Sequence, residues 1–364
     1  MASVTLDKIL KAVVGHGASD LHLIANTEPQ IRISGKLAPL DIEKLDTQTV
    51  KSLCYSVITD NQKQKFEEYK ELDFTFTMSG IGRFRANYYL QKGSVAGAFR
   101  IIPEKIPNLD DIAAPTIFKE LIAKEKGLIL VTGPTGSGKS TTLAAMIHEI
   151  NLKERKHIIT IEDPVEFEHD HINSIISQRN VGEDTDSFAS ALKYAMREDP
   201  DVILVGEMRD METIRAAVTA AETGHLVFAT VHTNSAVQTI NRIINVFPPD
   251  EQAMIRTQLS MSLTAVISQT LIPKTEGGRV AIHEIMINNH AIANLIREDK
   301  VHQIYSQLQL NQNKTGMQTQ SQAIIEALAQ LKITKENALR FATNKDEIER
   351  AAVASSTGGM DGRL

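Results

Sequence analysis

Leu128-Ile-Leu-Val-Thr-Gly-Pro-Thr-Gly-Ser-Gly-Lys-Ser140 is the stretch on which the fold turns. Its four leading apolar residues read as a short strand buried on both faces. Gly133 to Ser140 then fits the pattern G-x-x-x-x-G-K-S/T, and Ser140–Asn151 reads as a helix. Glycines at 133, 136 and 138 let backbone N–H groups wrap a phosphate chain without Cβ clashes, and the helix N-terminus adds partial positive charge. Lys139 is placed to reach the β- and γ-phosphates, and the Ser140 hydroxyl to ligate Mg²⁺. The expected nucleotide-binding residues are Gly133, Pro134, Thr135, Gly136, Ser137, Gly138, Lys139, Ser140 and Thr141. A glycine turn that binds nothing would not need Lys-Ser in register with a helix start.

Downstream, apolar runs recur at Ile158–Ile161, Val202–Val205 and Leu226–Val231, with helical segments at Ser187–Arg197 and Glu212–Glu222 between them. Strands alternating with helices mean crossover connections and a mostly parallel sheet. Ligands of such sheets sit at the carboxyl ends of the strands. Glu207 closes one of them and is the expected group to orient and deprotonate an attacking water. Gly206 stands where an Asp is more usual, so a second acid is needed for the Mg²⁺ shell. Glu162, closing the Ile158–Ile161 strand, is preferred to Asp163, which reads equally well as a solvated strand end. His225 and His232 flank the fourth strand, about 20 Å apart at ~3.3 Å per residue, so both cannot touch one γ-phosphate. From Asp250 onward the chain is expected to be mainly helical.

Upstream, residues 1–100 read as an α+β unit: a helix over Val4–Val14, short alternating strands, and two helices over Thr47–Tyr69 broken near Thr59-Asp60-Asn61. Arg83 and Arg85 alternate with apolar neighbours, so a strand puts both on one face, and Arg100 ends the next strand. The three would form a cationic patch. Spacing alone leaves a solvated strand face and an arginine-finger role open. Pro103, Pro107 and Pro115 mark a linker at 101–114.

At 364 residues the chain is long enough for two or three domains, and 42% apolar with 23% charged residues supports real cores. With 39 basic and 45 acidic residues the formal charge is −6, which argues against wholesale binding to a nucleic-acid backbone. One cysteine, Cys54, excludes an internal disulfide and a multi-cysteine zinc cluster. No apolar run approaches the ~20 residues of a membrane span, and the N-terminus lacks the core of a signal peptide, so a cytoplasmic protein is expected.

Gly133–Thr141, Ile161–Glu166, Asp201–Asp210 and Gly224–His232 resemble the Walker A, Asp, Walker B and His boxes of the type II/IV secretion ATPase superfamily. Ala18–Leu23 and Ala291–Glu298 are similar to segments of its type IV pilus retraction ATPases, a likeness that covers nearly the whole chain. The resemblance implies an α/β fold: a PAS-like domain at 1–100, the 101–114 linker, and a RecA-like P-loop domain at 115–290. A helical region at 291–350 and a disordered tail at 351–364 complete the expected layout. It implies ATP and Mg²⁺ as cofactors, held by Ser140 and Glu162, with the nucleotide between the two domains. Glu207 would be the catalytic base, assisted by Glu162, His225, His232, Arg83, Arg85 and Arg100. The implied assembly is a homo-hexamer at the inner-membrane base of a pilus machine, working with a platform protein and a second retraction ATPase, and with no nucleic acid. The family's C-terminal motif reads Ala-Ile-Arg-Asn-Leu-Ile-Arg-Glu, and here Ala293 replaces its first Arg. Rival readings are that second, accessory retraction ATPase, an assembly or secretion ATPase, and a RecA-type translocase. The missing four-cysteine zinc site counts against the assembly and secretion relatives.

Overall fold

The computed structural model describes residues 4–33, 35–102, 105–310 and 315–357. The chain divides into two compact units: Met1–Lys105 with Pro164–Glu168, and Ile106–Asp163 with His169–Leu364.

In the first unit, α1 (Leu6–Gly15) buries Leu6, Ile9, Leu10 and Val13, the stripe its spacing demands. The strands β1 (Asp20–Leu23), β2 (Gln30–Ile33), β3 (Lys36–Pro39), β4 (Glu71–Met78), β5 (Gly82–Gln91) and β6 (Ser94–Ile102) form one antiparallel sheet ordered β3-β2-β1-β6-β5-β4. Two further helices, α2 (Thr47–Tyr55) and α3 (Asp60–Tyr69), lie between β3 and β4. They separate where expected, because Thr59 caps α3 in a reciprocal box with Gln62. Phe66, Phe74, Tyr88 and Phe99 meet edge to face in the core, and the Tyr88 hydroxyl donates to the Cys54 carbonyl at 2.8 Å. Cys54 is fully buried and burial pushes its thiol up to about 12, so it acts as a small apolar core residue.

The second unit opens with α4 (Ile117–Ile122), β7 (Gly127–Thr132), α5 (Lys139–Lys153), β8 (His157–Glu162) and β9 (Ile175–Asn180). It continues through α6 (Phe188–Ala195), β10 (Val202–Val205), α7 (Met211–Glu222), β11 (Leu226–Val231), α8 (Ala236–Asn245) and α9 (Pro249–Ser262). Two long strands follow, β12 (Leu263–Pro273) and β13 (Arg279–Ile287). The seven strands are ordered β13-β12-β7-β11-β10-β8-β9, all parallel except β13, which pairs antiparallel with β12. Every residue of β7, β10 and β11 is buried, as strands covered by helices on both faces must be. Beyond the sheet come α10 (His290–Arg297), α11 (Ile304–Leu308), α12 (Gln320–Ala329), α13 (Lys335–Phe341) and α14 (Lys345–Thr357).

The structure departs from the sequence reading in several places. The region after Asp250 is not helical throughout: β12 and β13 interrupt it between α9 and α10. Ser268, Gln269 and Thr270 break the apolar run of β12 and hide its strand character. The 101–114 stretch is not wholly a linker, because Ile101 and Ile102 finish β6 and Leu109 is buried with Phe118 in the second unit; Pro103 lies outside the described residues. Of the expected disordered tail at 351–364, residues 351–357 continue α14, and 358–364 lie outside the described residues.

Candidate nucleotide site

The loop after β7 has the shape a phosphate cradle requires. Gly133 sits at φ +143°, and a Cβ there would stand 2.3 Å from the Gln269 carbonyl oxygen and 2.6 Å from Ser137 Oγ. Only glycine fits that turn. Lys139 is buried to 9% exposure and its Nζ donates to the carbonyls of Gly133 at 2.9 Å and Pro134 at 3.2 Å. Those bonds turn loop carbonyls toward the lysine. Ser140 and Thr141 follow on the first turn of α5, with the Ser140 side chain exposed. Lysine, glycine backbone and an exposed hydroxyl at one helix N-terminus suit a polyphosphate with its divalent cation.

The neighbouring strands bring the expected acids to the same sheet edge. Glu162 is the last residue of β8, and Glu207 lies two residues beyond β10. Gly206 donates to the Ile161 carbonyl at 2.7 Å, and an added Cβ there would come within 3.2 Å of the Glu162 Cα. That contact favours glycine before Glu207: the two strand ends come close at this point. One Glu162 oxygen accepts from Thr160 Oγ1 at 2.7 Å and from Gln178 Nε2 at 3.4 Å, which aims the carboxylate. Glu207 Oε1 lies 2.6 Å from Arg209 Nε and 3.2 Å from His232 Nε2. Burial pushes its carboxyl up, but the hydrogen bond from Arg209 and the field of His232 outweigh this and hold it below the usual range. Asp163 is exposed.

The two histidines separate as the strand length requires. His232 follows β11 and joins Glu207, whereas His225 precedes β11 and its Nδ1 donates to the Ala220 carbonyl at 2.9 Å. His225 therefore caps the end of α7 and is not brought to Glu207.

Arg83, Arg85 and Arg100 lie on the first unit, where Arg85 and Arg100 are direct cross-strand partners. They do not form a bare cationic patch. Arg85 makes a two-point bond to Asp73, at 3.1 and 2.7 Å, and Arg100 Nε meets Asp20 at 2.9 Å. Arg83 pairs with Glu168 at 3.1 Å and is nearly buried, yet its Nη1 has no partner among the described residues. The carboxylates come from strands β1 and β4 and from residue 168, so strand alternation of the arginines alone could not reveal them.

Sequence reasoning also missed the groups that hold this machinery in place: Arg209, Thr160, Gln178 and Gln269. The first two were within reach, since each lies two residues from an acid already singled out. Gln269 belongs to a strand that was not read at all.

A family model described as type II/IV secretion system protein matches residues 109–340. The type IV pilus retraction ATPase PilT of Pseudomonas aeruginosa is 50% identical over 333 residues, covering 92% of this chain and 96% of that protein. The type IV pilus ATPase PilU of the same species is 40% identical over 356 residues, covering 98% and 93%. Among solved structures, the pilus retraction motor PilT with bound ADP superposes with a TM-score of 0.88 at 49% identity, covering 95% of this chain and 99% of that one.

Proposed function

Because the chain belongs to the type II/IV secretion system protein family, we infer that it is an ATPase that drives type IV pilus retraction. The observation that carries the chemistry is Glu207, a carboxylate held ionised beside His232 on the sheet edge where the 133–140 loop emerges. The loop holds the phosphates, Glu207 takes the proton of the attacking water, and Glu162 orients that water. Ser140 and Glu162 are the groups to hold Mg²⁺, which when bound neutralises phosphate charge. Greater identity to the retraction ATPase than to PilU, 50% against 40%, supports the principal rather than the accessory role.

The working assembly in this proposal is a homo-hexamer on the cytoplasmic side of the pilus base, meeting the platform protein and, in some systems, a second retraction ATPase. Among the described residues no helix is long and apolar enough to cross a membrane. Purified protein with Mg²⁺ and ATP is expected to release inorganic phosphate, and cells lacking the gene to extend pili that do not withdraw. Normal withdrawal in such cells would overturn the retraction role while leaving the ATPase reading intact.

In this proposal Arg83, Arg85 and Arg100 neutralise developing phosphate charge, from the same chain or a neighbouring one, after leaving their carboxylate partners. Replacing Arg83 or Arg85 by Gln is expected to lower kcat by ~10²-fold. The Arg85–Asp73 pair is partly exposed, so thermal stability should barely change in the Arg85 variant. Unchanged turnover in both variants would reduce the arginines to sheet-surface ion pairs.

A further inference from the structure

We propose that Gln269 is a positioning residue for the nucleotide site: its side-chain amide, reaching across from β12, sets the curvature of the 133–140 loop. The inference rests on the reading of that loop as the phosphate cradle, and it concerns a residue outside all four motif boxes.

Gln269 is 2% exposed and spends its amide on both halves of the loop–helix junction. Its Nε2 donates to the Ser137 carbonyl at 2.7 Å. Its Oε1 accepts from Thr142 Oγ1 at 2.7 Å and from His283 Nε2 at 3.2 Å. The orientation of the amide is dictated, because a carbonyl oxygen can only accept and so the nitrogen must face Ser137. Its own backbone carbonyl is the atom that a Cβ on Gly133 would strike. One residue thus touches the start of the loop through its backbone and the end of it through its side chain.

The consequence for ligand binding follows from peptide geometry. In a trans peptide the C=O of one residue and the N–H of the next point in opposite directions. Pinning the Ser137 carbonyl toward Gln269 therefore turns the Gly138 N–H the other way, to the face where a phosphate is gripped. Without the pin, the Ser137–Gly138 peptide is free to rotate, because Gly138 at φ +88° has no Cβ to restrict it. The Ser137 hydroxyl offers no substitute, being buried without a hydrogen-bond partner among the described residues. Behind Gln269 stands His283 on β13, buried edge-on against Phe118. Burial holds its pKa at about 4, so the ring is neutral and its Nε2–H is the donor to Gln269. Gln269 thereby has its acceptor valences filled and is locked in one rotamer.

The decisive variant is Gln269→Met, which keeps length and volume but removes every side-chain hydrogen bond. ADP affinity by calorimetric titration is expected to fall about tenfold, with KM for ATP rising by a similar factor. At saturating ATP, kcat should fall no more than threefold, since Glu207 and Glu162 stand on other strands. A lowered melting temperature with ADP affinity and KM at wild-type values would make Gln269 a plain core brace and overturn the proposal. Should Gln269→Met fail to fold, Thr142→Val removes one partner of the same amide; an ADP affinity lowered about threefold sustains the proposal, and an unchanged one sinks it. Wild-type protein that binds no nucleotide would instead overturn the reading of the loop itself, so the two failures are told apart.

Discussion

Glu207→Gln should bind ATP as tightly as the wild type and hydrolyse it ~10²–10⁴-fold more slowly. The substitution keeps the shape and the hydrogen-bond reach of the side chain but removes its capacity to take a proton. Binding survives because the loop from Gly133 to Ser140 and the amide of Gln269 are untouched. The size of the loss depends on Glu207 being ionised beforehand, and the structure supplies the reason: Arg209 and His232 both favour the charged form. The Arg209 side chain is 75% exposed, so its pairing with Glu207 is cheap to exchange when water must be engaged. The sign of the pH effect follows. A carboxyl held below its ordinary value is lost as a base only when pH falls through that lowered value. Between pH 6 and 8, then, no acid limb in the wild-type rate should come from Glu207. Single-turnover hydrolysis alongside equilibrium ATP binding measures both halves. A Gln variant that turns over within tenfold of wild type would transfer the base role elsewhere, with Glu162 next in line.

Much of this site was legible in the chain because parallel strands announce themselves twice, as pure apolar runs and as the places where acids and glycines cluster at the end. Leu128–Val131, Val202–Val205 and Leu226–Val231 are such runs, and the catalytic candidates sit just past them. What stayed hidden is polar and long-range. β12 carries Ser268 and Gln269 into the core because Thr132 Oγ1 and the loop carbonyls there need partners, and a buried polar residue breaks the apolar signal by which strands are read. β9 escaped for the opposite reason: as the edge strand its residues are mostly half-exposed, so no run forms. The carboxylates that neutralise Arg85 and Arg100 lie 12 and 80 residues away in the chain, and only sheet register brings them together. Gly206 was visible as a departure from the usual Asp, but the closeness of Glu162 on the next strand, which favours a glycine there, follows only from strand pairing.

Gly133→Ala is the substitution expected to do the most damage for the fewest atoms. At φ +143° an L side chain is strained wherever it stands, at a cost of ~1–3 kcal/mol. The added methyl would also meet a backbone oxygen, Gln269 O, at 2.3 Å, and backbone cannot swing aside as a side chain can. Moving Gln269 means shifting β12, which is tied to β7 by the Ser268↔Thr132 pairing and by a 2.8 Å bond between those two hydroxyls. Strain and overpacking together put the loss on the order of 4 kcal/mol. The loop is the softer element, so it yields first, and nucleotide binding should fall at least ~100-fold, the equivalent of about 2.7 kcal/mol. Gly136→Ala is the control. Gly136 also has positive φ, +78°, but a Cβ there meets nothing within 4 Å. Its loss of stability, measured by denaturant unfolding without nucleotide, should stay near ~1 kcal/mol. Equal destabilisation by the two alanines would mean that backbone conformation alone matters at Gly133, and that the contact with Gln269 does not shape the loop.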